Sequence, residues 1–255
     1  MEKIIDCAVL LALAIFAVIV SFLIHATFLE STFLFLGLPS IYFLLHGKTK
    51  RHETLAAVVV FGVLYCFLLD YLAELNGAWA WTPSQLIFQQ KIPGVVSPDA
   101  IIWTALWVLL LVLFYNHVID HNVRDRVSRK IWYAVGVGLA SLAAIMWLQF
   151  HAPSHLHITY AYFYLGLCTL PPLFYVIWKK PRIVPKLLLA SLYFIPLYFV
   201  YELVGDALGQ WSFPGHYIAL IHIGTITFPI EEFLFWIVCS SVITLGGYEL
   251  FIDDC

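Results

Sequence analysis

Long apolar runs alternate with short polar segments along the whole chain. Most of these runs are close to the roughly 20 residues that an α-helix needs to cross the hydrocarbon core of a bilayer. The pattern predicts eight spans, at 7–27, 32–46, 54–74, 99–118, 132–150, 159–178, 185–205 and 229–247. The predicted fold class is therefore an all-α integral membrane protein.

The composition agrees with a membrane location. Hydrophobic residues make up 62% of the 255-residue chain and charged residues only 11%, whereas soluble domains carry roughly 25% charged residues. The net charge of −3 provides no basic surface for a nucleic acid, so we expect no nucleic-acid partner. Membrane lipids are the partners that this composition predicts, and the oligomeric state stays open.

The basic residues fall almost entirely on one side of the predicted membrane. Of the 13 Lys and Arg residues, only Lys91 lies in a loop on the opposite side. The others lie at Lys3 and in the segments 48–51, 124–130 and 179–186. The positive-inside rule then predicts a multi-pass protein of the cell membrane with both termini in the cytoplasm.

The chain also contains an internal duplication with an offset of 132 residues. The segment "DYLAELNGAWAWTP" (70–83) is similar to "YELVGDALGQWSFP" (201–214), with Asp70 matched to Glu202 and Trp79 to Trp211. The pattern predicts two four-span repeats, 1–127 and 128–255. Because each repeat has an even number of spans, the two copies are expected to be parallel.

Four carboxylates of the second repeat are predicted to converge near the outer surface. Glu202 and Asp206 are one helical turn apart, and Glu231 and Glu232 open the last span. We call these four residues the outer acid cluster. Apolar surroundings and crowded negative charges both favour the neutral carboxyl, so we expect at least one member to be protonated and able to act as a general acid.

The sequence does not decide between the two adjacent glutamates. Residues that are neighbours in a helix point about 100° apart, so only one of Glu231 and Glu232 is expected to face a cavity directly. The aromatic residues Trp211, Phe213 and Phe235 lie near the cluster in the sequence and are candidates to stabilise a cation.

The last span carries the motif Pro229-Ile230-Glu231-Glu232, followed by Phe233 and Phe235. This motif, the preceding acid Glu202, the Gly209-x-Trp211 pattern and the duplicated four-span layout resemble the membrane-embedded lycopene cyclases, found as two small subunits or as one fused chain. The resemblance covers nearly the whole chain. It implies cyclisation of lycopene within the bilayer to β-ionone rings, a redox-neutral reaction that requires neither a cofactor nor a metal.

The resemblance also implies roles for particular residues. Glu231, Glu232 and Glu202 are the catalytic candidates. The substrate-binding candidates are Asp206, Trp211, Phe213, Phe235, Asp70 and Trp79.

The first repeat departs from the family pattern. Where a second P-x-E-E motif is expected, the chain reads "SPDAIIW" (97–103), with Pro98 retained, an acid one place early at Asp99, and no glutamate pair. The second repeat is therefore predicted to be the active one.

Other interpretations remain open at this stage. Acids and aromatic residues at span ends often lie in the membrane interface without a further role. In a magnesium-dependent intramembrane prenyltransferase, the pairs Asp70/Glu74 and Glu202/Asp206 would bind a diphosphate through the metal. A non-catalytic carotenoid- or lipid-binding membrane protein is the third alternative. The segment "HAPSHLH" (151–157) has histidines at metal-like spacing, but we interpret it as an interfacial loop.

Overall fold

The computed structural model describes residues 2–47, 50–120 and 124–253, with side chains from residue 5 onward. Lys48 lies outside the described residues, and so does the side chain of Lys3. Within the described part, eight helices are long and apolar enough to cross a membrane, and each overlaps one of the predicted runs. The prediction of an all-α protein with eight candidate membrane spans is thereby confirmed.

The spanning helices have the following bounds. They are α1 (Ile5–Ile24), α2 (Phe28–His46), α3 (Arg51–Leu75), α4 (Pro98–Ile119), α5 (Ile131–His151), α6 (Ala161–Lys179), α7 (Pro181–Ala207) and α8 (Glu232–Phe251). Helix α7 opens with a 3₁₀ turn, Pro181–Ile183.

Burial separates central helices from peripheral ones. In α4 and α8, 56% of the most apolar stretch is buried within the protein, compared with 17% in α1 and 11% in α5. Because α1 and α5 present mostly apolar side chains outward, they are the helices that face lipid most fully. The site described below therefore involves one of the two most buried helices, α8.

Four of the helices contain a π-helical stretch, in which backbone hydrogen bonds span five residues instead of four. These stretches are Phe33–Gly37, Val58–Tyr65, Tyr115–Ile119 and Glu232–Cys239. The last begins at Glu232, one of the predicted catalytic residues. Such stretches are frequent at functional sites because they change the direction in which side chains point.

Two small antiparallel sheets lie in the loops at one end of the helices. Strand β1 (Ala80–Trp81) pairs with β2 (Trp211–Ser212), with Ala80 opposite Ser212. Strands β3 (Leu220–Ile223) and β4 (Ile226–Pro229) form a hairpin. Its two-residue turn starts at Gly224 with φ 61°, a conformation that glycine adopts without strain.

The β3–β4 hairpin leads directly into the last span. Pro229, the predicted first residue of that span, is the last residue of β4. The backbone is helical from Ile230 onward, and the apolar span runs from Glu232.

At the opposite end, buried ion pairs connect several loops and helix ends. The Lys50 Nζ lies 3.3 Å from Glu53, 2.9 Å from Asp120 and 3.5 Å from Asp253. Asp120 also pairs with Lys186 at 3.0 Å. The α2–α3 and α4–α5 connections, the start of α7 and the end of α8 therefore meet at one end of the molecule.

Candidate active site

Helices α7 and α8 bring two predicted catalytic acids together. Glu202 is 1% exposed and Glu232 is 6% exposed, and their carboxyl groups are close enough to interact. We call Glu202 and Glu232 the carboxyl pair. Two carboxyl groups can share a direct hydrogen bond only when one of them carries a proton, since a carboxylate accepts hydrogen bonds but donates none.

Each member of the carboxyl pair also accepts a hydrogen bond from an aromatic side chain. The Tyr162 hydroxyl, in the first turn of α6, donates to Glu232 Oε2 at 2.5 Å. The Trp211 indole N–H, on β2, donates to Glu202 Oε1 at 2.9 Å. Both acids therefore have neutral donors as partners.

Asp206 extends the site by one helical turn. It lies on α7 four residues after Glu202 and interacts with that carboxyl. Its Oδ2 atom is buried and has no hydrogen-bond partner. Among the described residues, no ion pair includes any member of the outer acid cluster. The site is thus acidic without a compensating cation.

Glu231 is buried beside Glu232 but has a different partner. Its Oε1 accepts the backbone N–H of Ile218 at 2.8 Å, which ties the loop before β3 to the entrance of α8. Its Oε2 is buried and has no hydrogen-bond partner. Through its contact with Ile218, Glu231 holds the loop before β3 in place, a role that Glu232 does not share.

Asp99 makes the corresponding contact near the start of α4. It accepts the backbone N–H groups of Ile87 at 2.8 Å and Phe88 at 3.0 Å. Asp99 and Glu231 are 132 residues apart, and both hold the loop that precedes their helix. This offset is that of the predicted duplication, in which Ala100, fully buried, is the counterpart of Glu232.

Several predicted aromatic residues lie around Tyr162. The ring of Trp79 meets the Tyr162 ring edge to face at 5.0 Å between centroids. Phe213 and Phe235 belong to the same apolar cluster. Trp211 packs elsewhere, against Trp81 and Tyr201. The acids of the carboxyl pair are consequently bordered by aromatic surfaces on more than one side.

Two glycines make this packing possible. A Cβ atom at Gly205 would lie 1.9 Å from the Trp211 ring, and one at Gly166 would lie 2.3 Å from the Phe235 ring. Contacts below 3.0 Å force a neighbour to move. Glycine at 205 therefore allows Trp211 to reach Glu202.

The acids of the first half are separate from the carboxyl pair. Asp70 is 3% exposed, interacts with Trp79, and has an Oδ2 atom without a hydrogen-bond partner. Glu74 accepts the Trp81 indole N–H at 3.1 Å and pairs with Lys91 at 3.0 Å. Lys91, the one basic residue predicted on the outer side, is thus engaged by the first half.

Tyr162 and Tyr217 are site residues that the sequence reasoning missed. The Tyr217 hydroxyl accepts the Gly215 N–H and lies 3.0 Å from the Ala78 carbonyl, linking the loop after α7 to the loop after α3. Burial, with the nearby carboxylates of Glu231 and Glu232, raises the pKa of Tyr217 to about 12. The sequence signal for Tyr162 as a site residue was a polar hydroxyl at the start of an apolar run. This signal is weak, because tyrosine is common at the ends of membrane spans.

An apolar groove of about 300 Å³ lies away from these acids, lined by Ile24, Leu29, Glu30, Phe33, Leu34 and Ile87. Its only carboxylate, Glu30, is used to cap the start of α2 through the Thr27 N–H at 2.8 Å. In the described part of the chain, no three His, Cys, Asp or Glu residues are arranged to hold a metal ion.

Comparisons with protein-family models, with curated proteins and with solved structures give no match for this chain. The chemistry of the site is therefore inferred from its residues.

Proposed function

We propose that the protein is a carotenoid cyclase that converts the acyclic ends of lycopene to β-ionone rings, as the sequence resemblance implies. One observation carries the proposal: the carboxyl pair of Glu202 and Glu232 is buried, in contact, and free of ion-pair partners among the described residues. Buried acids in a membrane helix are costly and are usually functional.

The carboxyl pair supplies both groups that proton-driven cyclisation needs. Two adjacent buried negative charges repel strongly, so two touching carboxyl groups hold one proton between them. The site then contains a general acid and a general base side by side. Because the substrate is a hydrocarbon, its alkenes are the groups with which these acids can react.

The proposed reaction starts with proton transfer from the carboxyl pair to the terminal trisubstituted alkene, giving a tertiary cation. The neighbouring alkene attacks this cation, a carbon–carbon bond forms, and the six-membered ring closes. A carboxylate then removes a proton from the ring cation to leave the new double bond. The product is an isomer of the substrate, so no oxidant, reductant or cofactor is consumed.

The aromatic residues support the cationic steps. Trp79, Phe213 and Phe235 cluster with Tyr162, whose hydroxyl bonds to Glu232. A cation over an aromatic face gains about 0.5–2 kcal/mol, with the larger values in sites that exclude water. We assign these residues, with Trp211, Asp206 and Asp70, to substrate binding.

We further propose that residues 1–127 and 128–255 are two parallel four-span repeats with one active site. The pairing of Ala80 with Ser212 supports this, because these residues are 132 positions apart and equivalent residues pair across a two-fold axis. The loop contacts of Asp99 and Glu231 support it as well. Since the first half has Ala100 in the place of Glu232, the second half carries the catalysis.

The same proposal includes the orientation in the cell membrane. The end that holds Lys50 and Lys186 is placed in the cytoplasm with both termini, following the positive-inside rule. The carboxyl pair then lies toward the outer surface.

Expression in a lycopene-accumulating cell, followed by pigment chromatography, tests the proposal. The expected result is loss of red lycopene and appearance of cyclised carotenoid. Unchanged lycopene with well-expressed, membrane-inserted protein contradicts it. Lycopene that copurifies unchanged with the protein would instead indicate the non-catalytic binding function. Magnesium-dependent prenyl transfer would indicate the prenyltransferase. Against that function, Lys91 already pairs with Glu74 and is not free to bind a diphosphate.

A further inference from the structure

We infer that Tyr162 is a positioning residue that holds Glu232 as the carboxylate, so that the shared proton resides on Glu202. Glu202 is then the acid that protonates the alkene, and Glu232 is the base that completes the ring. This assignment rests on the proposed function.

The hydrogen bonds that Tyr162 and Trp211 donate to the carboxyl pair differ in length. The oxygen–oxygen distance of 2.5 Å between Tyr162 and Glu232 falls in the range of hydrogen bonds from a hydroxyl to a charged oxygen, about 2.5–2.7 Å. The nitrogen–oxygen distance of 2.9 Å between Trp211 and Glu202 is that of an ordinary hydrogen bond. The stronger donation to Glu232 stabilises the negative charge on that residue.

Asp206 does not distinguish the two acids of the carboxyl pair. Glu202 and Glu232 each interact with the other and with Asp206, so a proton on either one relieves two of the three repulsions. The assignment of the proton therefore rests on the two hydrogen-bond donors. The other ionisable groups near the pair are Glu231, Tyr162 and Tyr217.

The Tyr162 hydroxyl is held in place from two directions. Its ring packs edge to face on Trp79 at 5.0 Å. The segment before α6 is fixed by the Asn76 side chain, which accepts the Ile158 N–H at 2.7 Å and donates to the Leu156 carbonyl at 2.9 Å. Tyr162 is therefore aimed at Glu232 by contacts with the first half of the chain.

The proton cycle closes within the carboxyl pair. Glu202 gives its proton to the alkene and becomes a carboxylate. After ring closure, Glu232 takes the proton that leaves the ring cation. Transfer of that proton from Glu232 to Glu202, across their existing contact, restores the starting state without any co-reactant.

Infrared spectroscopy of the purified, substrate-free protein tests where the proton resides. The difference spectrum between wild type and Glu202→Gln is expected to contain the C=O stretch of a protonated carboxylic acid. Tyr162→Phe is expected to shift that band. Tyr164→Phe is the matched control, since Tyr164 lies on the same helix and is 52% exposed, and it is expected to leave the band unchanged.

Activity provides the second readout. Loss of a hydrogen bond to a charged group predicts a fall of about ten- to a hundredfold in lycopene conversion by Tyr162→Phe, with wild-type conversion by Tyr164→Phe. A protonated-carboxyl band that survives in Glu202→Gln without a difference from wild type overturns the inference, as does an unshifted band in Tyr162→Phe. A wild type that shows the expected bands but never cyclises lycopene refutes the proposed function and leaves the proton assignment standing.

Discussion

Glu232 lies near the start of α8 and Ala100 near the start of α4. Their neighbours Glu231 and Asp99 both accept backbone N–H groups from the preceding loop. Only Glu232 reaches a second carboxyl group and a phenol. The adjacent glutamates of one motif thus have different environments, one structural and one suited to proton transfer.

Replacement of Glu232 by Gln is predicted to abolish lycopene conversion, because an amide cannot take up and release the proton. Glu231→Gln is the matched control within the same motif. Its amide oxygen can still accept the Ile218 N–H, so most of the conversion should persist. Pigment chromatography at equal protein levels measures both. Wild-type conversion by Glu232→Gln would show that this carboxyl is not required.

Gly205→Ala is predicted to separate Trp211 from Glu202, because the added methyl group would overlap the indole ring. Overpacking of this kind costs about 1–3 kcal/mol of folding stability, and conversion should fall with it. Gly136→Ala is the control, since a Cβ at Gly136 meets no atom within 4 Å. Thermal unfolding in detergent and pigment analysis give the two readouts. Equal unfolding temperatures and equal lycopene conversion in the two variants would exclude the close contact between Gly205 and Trp211.

At the scale of elements, the outer loops hold the start of α6 against the end of α3. The Asn76 side chain makes three hydrogen bonds, to Leu72, Leu156 and Ile158. Two of these partners belong to the segment before α6. The position of Tyr162 therefore depends on a residue in the other half of the chain.

Asn76→Ala is predicted to lower the free energy of unfolding by about 1–3 kcal/mol, because it removes the partners of the partly buried Leu156 carbonyl and Ile158 N–H. Lycopene conversion should also fall, since Tyr162 loses its fixed position. Gln90→Ala, at an exposed position of the same loop, should change neither quantity. Chemical or thermal unfolding of the purified protein provides the measurement. An Asn76→Ala variant as stable as Gln90→Ala would argue against this link.

The elements differ in how well the sequence predicted them. The eight helices followed from apolar runs, because bilayer thickness fixes their length and composition. The β1–β2 pairing was not anticipated, since it joins residues 130 to 132 positions apart and leaves no local pattern. The β3–β4 hairpin carries a local signal, Gly224-Thr225 between two short strands, which the pattern of long apolar runs does not include.

The residues of the site also differ in how well the sequence predicted them. Glu202, Asp206, Glu231 and Glu232 were predicted to converge because each stands at the same end of a span, and the structure places Glu202 and Glu232 in contact. Tyr162 was missed because its contact with Glu232 joins residues 70 positions apart. Only the packing of α6 against α8 brings them together.

For the molecule as a whole, the two ends have opposite electrostatic designs. At one end, the outer acid cluster has no ion pair among the described residues, whereas at the other end Lys50 and Lys186 neutralise buried acids. Burial alone would raise the pKa of Asp120, but hydrogen bonds from these two lysines outweigh it and hold that pKa below its usual value. The lysine end is thus built for stability.

This balance predicts a loss of stability in acid. A group whose pKa is lowered by folding stabilises the protein above its unfolded-state pKa, and that contribution disappears as the pH falls through the lower, folded-state pKa. Unfolding temperatures should therefore drop below about pH 4. Asp120→Asn should be less stable than wild type at pH 7 and should lose less on acidification. An equal acid dependence in both proteins would contradict the assignment.

The most direct test of the central claim uses the purified protein in liposomes that contain lycopene, with Glu232→Gln as the comparison. The account predicts that wild type forms a cyclised carotenoid of the same mass as lycopene, that the product gains deuterium when the reaction runs in D₂O, and that Glu232→Gln forms none. Lycopene recovered unchanged from the folded wild-type protein, or a cyclised product without deuterium, would contradict proton-driven cyclisation at the carboxyl pair.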